Sequence, residues 1–565
     1  MMPRRTILIV VVALVAAASP FFGIPGWTPS LATVAALLAI SLIGLNLIFG
    51  FCGMLALGQA AFAVIPAYIS GILSANGVPI LASASIGLVL TIVIARILAE
   101  VFIRLPGIYL AVGTLGFAYV VEGIARAYPG VTGGASGLVL TMPFVLSETQ
   151  WYVVAVVALT IATLLSAWLL QGAMARTLKL LHRDELAAAV AGIDVVRLKV
   201  RMFSIGAAFT ASGGLLLTHY TSVVTPEMGG ANNSLEYLAL VMIGGAGSIA
   251  GPIIGAASIG WLFSVAGAAH RYELLVYGAG FLSVVLFAPG GIASLFSRFL
   301  PKVAGGTPQT SAVAPVSAAP LTPVKSGAGL QAVNISKRFG GLQAVGDVSL
   351  DVAHGEVVAV LGPNGAGKST FFNILSGIER ADSGSILLDG KSITDVSIHA
   401  RAAVIGRSFQ VPRLVLDMTV LQNIISRVDQ MYPALSEDHR KSIAFAELNR
   451  FRLADMADTM VGEVAVGHHK LIDIARAAVG TPELVLLDEP AVGLTAVELA
   501  ALKDIIHTLA QAGAAVVVVD HNIDFIMSIA DRILVMEGGK TLASGAPRDV
   551  IESPEVRAAY LGVLA

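Results

Sequence analysis

The stretch GPNGAGKST, residues 362–370, decides the fold of the second half of the chain. It fits the P-loop template G-x-x-x-x-G-K-[ST], with an apolar run before it and a helix-forming run after it. Glycines let backbone N–H groups approach the phosphates of a nucleoside triphosphate. In this template Lys368 reaches the β- and γ-phosphates and the Ser369 hydroxyl binds Mg²⁺. A glycine-rich turn without a ligand is the alternative, but the flanking strand and helix favour nucleotide binding.

Composition divides the chain into two halves of different character. Of its 565 residues, 56% are hydrophobic and 13% are charged, about half the charged fraction of an ordinary globular protein. The excess apolar residues lie mostly before residue 300, which predicts a membrane half followed by a soluble half. A net charge of −2 gives no reason to expect nucleic acid as a partner. Cys52 is the single cysteine, so no intramolecular disulfide and no cysteine-based metal site are predicted.

Apolar segments of about 20 residues predict membrane helices before residue 300. The stretch 234–267 is too long for one span and contains IGGAGSIAGP, so we divide it into two. With this division the candidates number about ten, or about eight if two are re-entrant. They lie near residues 6–23, 31–50, 53–75, 79–102, 105–126, 151–171, 202–221, 234–267 and 273–296. Basic residues cluster in alternate loops, which places the N-terminus and the second half of the chain in the cytoplasm.

Glycine and proline interrupt several of these segments. Such breaks either line a substrate path or allow helices to pack closely through small residues, and both interpretations stay open. Asn46, Gln59 and Tyr68 are polar residues inside predicted spans, where we expect interhelical hydrogen bonds. Glu122 and Arg126 are spaced i, i+4 near an outer end, which predicts a local ion pair.

Two further segments are predicted to join the halves. Residues 177–201 are charged and helix-prone, and their size and position favour docking on the second half over a solvated connector. Residues 301–329 are rich in Pro, Ala, Ser, Thr and Gly, which predicts a flexible linker. The predicted fold is therefore a polytopic α-helical membrane domain over residues 1–300, the linker, and an α/β P-loop ATPase domain over residues 330–565.

A second motif, LVLLDEP at residues 484–490, delivers two acids at the end of a buried strand. Asp488 fits the role of holding Mg²⁺, and Glu489 fits that of a general base acting on the attacking water. Two acids in a surface turn are the alternative, which the P-loop upstream makes weak. Hydrophobic runs that alternate with helical patterns predict a mainly parallel sheet around these motifs.

Several segments of the first half resemble the permease subunits of branched-chain amino acid ABC importers. The resemblance covers nearly all of residues 30–296 and is carried by residues 44–73, 105–138, 181–194 and 241–257. TGGASG and HRDELA resemble the permease type with the longer insert. The coupling loop by which such permeases dock on their ATPases is loosely resembled at Glu185, Ala187, Ala188 and Gly192.

The second half resembles an ABC ATPase, and residues 528–562 resemble the first of the two ATPases of these importers. The resemblance implies ATP and Mg²⁺ as ligands. The implied catalytic residues are Glu489, His521 at the γ-phosphate, and the Q-loop glutamine Gln410. The implied nucleotide-binding residues are Phe339, Gly362, Asn364, Gly365, Gly367, Lys368, Ser369, Thr370 and, across a dimer, Gly467. The implied ligands of Mg²⁺ are Ser369, Gln410 and Asp488.

The signature motif departs from the family pattern, since VAVGHHK stands at residues 464–470 where LSGGQ is the general form. Gly467 is retained, and its N–H and the following helix N-terminus can still serve the γ-phosphate. The unusual His468 and His469 suggest pH sensitivity near neutrality. A metal site is disfavoured because neighbours on a helix point apart. Thr495 stands where an acid or amide is usual.

The resemblance implies a fused permease–ATPase subunit that imports branched-chain amino acids across the bacterial inner membrane. Urea, short amides and aromatic acids are alternative substrates of the same family. Expected partners are a second permease and a second ATPase subunit, or a second copy of this chain, with a periplasmic solute-binding protein and membrane lipid. Two alternatives belong to other classes of protein. One is an ABC exporter half-transporter, which has the same order of domains but fewer and longer spans. The other is a membrane-tethered regulatory ATPase, which needs no cavity through the spans.

Overall fold

The computed structural model describes residues 29–105, 107–140, 146–265, 290–297 and 329–561, with a few more positions between 278 and 288. The chain divides into two compact units. The helical unit comprises residues up to 182 and residues 196–309, and the α/β unit comprises Arg183–Val195 and residues 310–565. The predicted first span, most of the last span and the linker lie outside the described residues, so the span count and the domain boundaries stay predictions.

Five helices of the described residues are long and apolar enough to cross a membrane, and each overlaps a predicted span. They are Pro29–Phe51, Ile80–Phe102, Gly107–Ala127, Glu148–Leu169 and Val195–Thr221. The α-helices before residue 300 are α1 Pro29–Asn46, α2 Gln59–Ala75, α3 Ile80–Phe102, α4 Gly107–Ala127, α5 Pro129–Thr132, α6 Glu148–Leu169, α7 Gly172–Arg183, α8 Glu185–Val190, α9 Val195–Thr221, α10 Ala231–Gly244, α11 Gly251–Val265 and α12 Gly291–Ser297.

The break predicted within residues 234–267 occurs, whereas the interruption predicted at residues 105–116 does not, because Gly107–Ala127 form one continuous helix. The stretch 234–267 forms α10 and α11, separated at residues 245–250. A Cβ atom on Gly244 would lie 1.9 Å from the carbonyl oxygen of Gly251, and one on Gly58 would lie 1.8 Å from that of Thr114. At these positions the small residues allow helices to meet, which supports the packing interpretation of the glycines.

The polar residues inside the helices mostly behave as predicted. Asn46 clamps the break between α10 and α11, because its amide nitrogen donates to Ser248 O at 2.8 Å and its amide oxygen accepts from Gly247 N at 2.9 Å. Gln59 donates to the hydroxyl of Thr210 on α9 at 3.0 Å. The expectation was wrong for Tyr68, whose buried hydroxyl has no hydrogen-bond partner among the described residues.

The ion pair predicted at the end of α4 is present and larger than expected. Arg126 bonds to Glu122 at 2.8 Å and to Glu227 at 2.7 Å. A local i, i+4 pattern predicts the first contact but carries no information on the second, which joins α4 to a 3₁₀ turn at Pro226–Gly229.

Asn46→Ala is expected to destabilise the helical unit by about 1–3 kcal/mol, because it leaves Gly247 N–H and Ser248 O without their buried partner. Thermal unfolding of the full chain in detergent measures the effect. Asn76→Ala is the matched control, since Asn76 is exposed and bonds only within its own helix end. Equal melting temperatures for the two variants would contradict the clamp.

In the helical unit, the short strands β1 Leu138–Val139 and β2 Val223–Val224 pair with each other. The strands of the α/β unit are β3 Leu330–Phe339, β4 Leu342–Val352, β5 Val357–Leu361, β6 Ser383–Leu388, β7 Lys391–Ser392, β8 Ile405–Arg407, β9 Leu484–Asp488, β10 Ala515–Val519, β11 Arg532–Glu537 and β12 Lys540–Gly545.

These strands form two sheets. The larger sheet has the order β12-β11-β5-β10-β9-β8 and is parallel except at β12, and the antiparallel sheet has the order β4-β3-β6-β7. The helices are α13 Lys368–Ser376, α14 Ile398–Arg401, α15 Val420–Met431, α16 Glu437–Arg450, α17 Val466–Ala478, α18 Ala496–Gln511, α19 Ile523–Ile529, α20 Pro547–Glu552 and α21 Pro554–Leu561.

Burial of both faces of the larger sheet explains its continuous apolar strands. Every residue of β5, β9 and β10 is buried. Val357, Ala359 and Leu361 of β5 pack in one core cluster, whereas Val358 and Val360 pack in the other. The period of two along each strand thus divides the core into two layers.

Strand order places the predicted motifs at one edge. The strands β8, β9, β10 and β5 are adjacent and parallel, so their carboxyl ends lie side by side. The loops that follow them carry Gln410, Glu489, His521 and the P-loop respectively. Ligands of open α/β sheets bind at this edge.

Candidate functional site

The P-loop joins β5 to α13 in the geometry that its motif requires. Gly365 and Gly367 have positive φ angles of 83° and 95°. A Cβ atom on Gly367 would lie 2.2 Å from the carbonyl oxygen of Ala344, so this glycine is needed for space as well as for conformation. Because Gly367 is also the N-cap of α13 and brings no side chain, the start of this helix is open to an anion. Asn364, Ser369 and Thr370 lie in this loop and the first turn of α13.

Lys368 is held over the loop by two carbonyl groups. Its Nζ atom donates to Gly362 O at 2.6 Å and to Pro363 O at 3.0 Å. Burial lowers the pKa of the Lys368 ammonium, and the carboxylates of Glu489 and Asp488 oppose this shift. The ammonium therefore lies on the P-loop, where the charges of both acids act on it.

The two predicted acids differ in environment. Asp488 ends β9 and is only 9% exposed, with the Arg407 guanidinium 3.8 Å from its carboxylate. Burial raises the pKa of the Asp488 carboxyl, while Arg407 acts in the opposite direction. Glu489 has a positive φ of 44°, and its N–H donates to Val519 O at 2.7 Å. A non-glycine residue with positive φ is uncommon, and here it stands where the chain leaves β9.

Two of the predicted catalytic residues, Gln410 and His521, lie by the same carboxylate oxygen of the third, Glu489. Gln410 Nε2 donates to Glu489 Oε2 at 2.9 Å, and His521 Nδ1 lies 3.8 Å from the same atom. The imidazole of His521 is two-thirds exposed, so it is accessible to a ligand. Because the Gln410 amide nitrogen faces Glu489, its amide oxygen is left to accept from, or coordinate, something else.

The donor set is suitable for Mg²⁺. The hydroxyl of Ser369, the amide oxygen of Gln410 and the carboxylate of Asp488 are hard oxygen ligands of the kind that Mg²⁺ prefers, and Mg²⁺ is commonly held by a carboxylate together with substrate phosphates. Ser369 and Gln410 come after the carboxyl ends of β5 and β8, and Asp488 is the last residue of β9, in the same parallel sheet. When bound, the ion would neutralise charge on the phosphates.

The two remaining predicted residues lie on other elements, β3 and α17. Phe339 ends β3 with 46% of its surface exposed, and Lys337 Nζ lies 5.5 Å from its ring centroid. Gly467 lies at the start of α17, where a Cβ atom would be 2.7 Å from Glu498 Oε1. The adenine contact of Phe339 and the action of Gly467 across a dimer stay predictions.

Three side chains that position this site are missing from the sequence-based predictions. Arg407 is buried and bridges β8 to α13, with its guanidinium 2.7 Å from Asn373 Oδ1 and 3.8 Å from Asp488 Oδ2. Burial lowers the pKa of Arg407 to about 10.

Asp520 accepts from the backbone N–H groups of Ala491 and His521, so it joins the loops after β9 and β10. Lys470 is the third. Their partners lie mostly on other elements, so no local pattern of the sequence predicts them.

Comparisons with known proteins place these observations in a family. The family model "ABC transporter" matches residues 345–492, and "Branched-chain amino acid transport system / permease component" matches residues 28–285. BraF of Pseudomonas aeruginosa, a high-affinity branched-chain amino acid transport ATP-binding protein, is 35% identical over 249 residues, which cover 41% of this chain and 97% of BraF. The chain belongs to the ABC transporter family. It is a fused permease and ATPase, in which the α/β unit is a nucleotide-binding, ATP-hydrolysing cassette.

Two further comparisons also concern the cassette. The lipopolysaccharide export protein LptB of Escherichia coli is 34% identical over 234 residues, 41% of this chain and 97% of LptB. A crystal structure of an ABC transporter cassette in its ADP conformation is 29% identical, with a TM-score of 0.38 over 42% of this chain and 99% of that cassette.

The ABC cassette holds a short segment from between the permease helices. This docking segment, Arg183–Val195, belongs to the α/β unit and contains α8. Asp184 caps α8 and pairs with Arg413 at 2.5 Å. The buried Arg427 donates to Val190 O at 3.1 Å, and also to Ala402 O and Ile405 O. The docking that the sequence predicts for residues 177–201 is thus confirmed for their central part.

The atypical signature residues have structural partners. His469 Nε2 lies 2.9 Å from Val461 O, and His468 Nδ1 lies 3.8 Å from Glu498 Oε1. Thr495 caps α18 in a capping box with Glu498. The hydroxyl that replaces the usual acid or amide therefore starts a helix whose first turn faces the signature segment. Whether the histidines make the site pH-sensitive stays a prediction.

Proposed function

We propose that the chain is the fused permease–ATPase subunit of an importer of small solutes, and that branched-chain amino acids are its substrates. One observation carries this proposal: the branched-chain permease model matches residues 28–285, which is nearly all of the sequence before the linker. BraF and LptB match the cassette about equally well, so the permease supplies the direction and the substrate class. An exporter or a tethered regulatory ATPase would not be expected to carry this permease.

The residues of the site have distinct roles in the proposed hydrolysis. Lys368 and the N-terminus of α13 would bind the phosphates of ATP, and Ser369, Gln410 and Asp488 would hold Mg²⁺. Glu489 takes a proton from the attacking water, which requires a position near the phosphates and a carboxylate in its charged form. Gln410 and His521 orient that carboxylate through the contacts at its Oε2 atom. Gly467 of a second cassette completes each composite site.

The proposal requires an assembly larger than one chain. One cassette supplies half of each of two composite sites, so a second ATPase is needed, either as a separate subunit or as a second copy. We place the assembly in the bacterial inner membrane, with the cassette in the cytoplasm and a periplasmic binding protein delivering the solute. Membrane lipid surrounds the apolar helices.

Uptake of labelled leucine tests the function directly. Cells that contain the partner subunits are compared with and without this chain, and unlabelled valine, urea and benzoate serve as competitors. Loss of uptake on deletion, with competition by valine, is the expected result. Competition by urea or benzoate alone would move the substrate to an amide or an aromatic acid. Leucine efflux that depends on the chain would contradict import.

Arg413→Glu is expected to lower uptake by about two- to fivefold while the cassette still hydrolyses ATP, because it places a like charge against Asp184 in the docking segment. Adding Asp184→Asn removes the repulsion and keeps an N-cap residue, so uptake should partly recover. Uptake and ATP hydrolysis are measured on the same membranes.

A matched control is available on the cassette surface. Arg380→Glu breaks a highly exposed pair with Asp395 within the cassette, and we expect no change in uptake. If Arg380→Glu and Arg413→Glu lower uptake to the same extent, the docking segment is not the point of transmission.

A further inference from the structure

The ammonium group of Lys470 is buried, and its hydrogen bonds within the described residues all go to main-chain oxygen atoms. It lies on α17, three residues after Gly467, and is 4% exposed. Its Nζ atom donates to Phe409 O at 2.9 Å, to Gln410 O at 2.7 Å and to Asp488 O at 3.2 Å. An ammonium has three donors, so all of them are used. Two of the three carbonyls belong to predicted ligands of Mg²⁺.

The same helix holds the loop after β8 at further points. We call residues 408–414 the Gln410 loop. Asp473 accepts from Phe409 N at 2.9 Å. Both the N–H and the carbonyl group of Phe409 are therefore bound by side chains of α17, Asp473 and Lys470. Arg476 donates to Arg413 O at 2.8 Å and pairs with Asp473. The Gln410 loop is therefore fixed to α17 by one carboxylate and two cations.

Burying this ammonium is unfavourable, which indicates a specific role. Burial lowers the pKa of Lys470, and the carboxylates of Asp473 and Asp488 oppose that shift. A neutral side chain of similar length would fill the space without the desolvation penalty. What it would not supply is a single group that binds the Gln410 loop and the end of β9 at once.

We propose that Lys470 is a positioning residue that sets the spacing between Gln410 and Asp488, and thereby the affinity of the ABC cassette for Mg²⁺ and its turnover. The proposal rests on the proposed function of that site. Lys470 touches neither side chain; it fixes the two backbones from which they project. A displacement of about 1 Å at such a position is enough to lower a rate by up to about a hundredfold.

The test compares Lys470→Met with wild-type protein as the full chain, assembled with its partner subunits in nanodiscs. Three kinetic quantities are measured: kcat for ATP, KM for ATP at saturating Mg²⁺, and the Mg²⁺ concentration for half-maximal turnover. Binding of Mn²⁺ in the presence of a non-hydrolysable ATP analogue is measured without turnover. We expect a kcat lower by about tenfold, with half-saturating Mg²⁺ and Mn²⁺ concentrations each higher by several-fold and KM for ATP nearly unchanged. Lys470→Arg, which keeps a cation with several donors, should recover most of the Mg²⁺ response.

Controls separate positioning from folding and from the function itself. Lys441→Met removes an exposed lysine on α16 and should change nothing. If Lys470→Met does not fold, Lys470→Gln retains N–H donors at similar length and carries the same comparison. An unchanged Mg²⁺ response, with kcat falling only in proportion to the folded fraction, would overturn the proposal. Glu489→Gln is measured in parallel: if it alone abolishes turnover, the site stands and only the role of Lys470 fails.

Discussion

Glu489→Gln is expected to lower ATP turnover by about 10²–10⁴-fold while ATP still binds. The amide keeps the size of the carboxylate and can still contact Gln410 and His521, but it cannot take a proton from water. The P-loop is untouched, so nucleotide affinity should be retained. Measurements are kcat of the assembled transporter and binding of a fluorescent ATP analogue.

The geometry makes this variant informative because Glu489 is the one point where the predicted catalytic side chains meet. Glu552→Gln, at an exposed glutamate that ends α20, is the matched control and should behave as wild type. Turnover of Glu489→Gln within a factor of about two of wild type would show that another group acts as the base. Loss of nucleotide binding would mean that the variant disturbs the β9 edge instead.

Lys368→Ala is expected to weaken ATP binding by about 10–100-fold and to abolish uptake, because a charge-assisted contact to the phosphates is lost. The alanine also releases Gly362 O and Pro363 O, so the loop itself loses two internal hydrogen bonds. The dissociation constant of ATP and the uptake of labelled leucine are measured side by side.

The helical unit should be unaffected by this substitution, which provides an internal check. Protease resistance of the permease helices in membranes is expected to match wild type. Lys337→Ala, a partly buried lysine that pairs with Asp382 on the antiparallel sheet, is the comparison variant. Normal uptake by Lys368→Ala would overturn the assignment of this loop as the ATP site.

The P-loop and the acid pair were predictable because their chemistry is local. Positive φ angles at Gly365 and Gly367, a buried strand before each motif, and a helix after the first are all properties of neighbouring residues. The break at residues 245–250 was predictable for the same reason. Thr495 shows a missed local signal: the spacing T-x-x-E to Glu498 is a capping box, which predicts the start of α18 directly.

The positioning residues were not predictable from the sequence, because their partners lie far along the chain. Lys470 bonds to carbonyls about 60 and 18 residues away, and backbone acceptors leave no trace in a side-chain pattern. Arg407 reaches back to α13, and Glu227 joins Arg126 from another loop. For Tyr68 the sequence predicted a hydrogen bond that is not found among the described residues, because a polar residue inside a span does not specify a partner.

The docking segment and the ABC cassette that binds it are parts of one polypeptide, and this has a thermodynamic consequence. Several of its contacts are weak ones: the Asp184–Arg413 pair is partly exposed, and Asp194 lies 3.6 Å from His399. Such contacts would hold two separate subunits together only at high concentration. A covalent link of 29 residues between 300 and 330 keeps the partners at an effective concentration on the order of millimolar. Because permease and ATPase are parts of one polypeptide, each permease is synthesised together with one ATPase at any expression level.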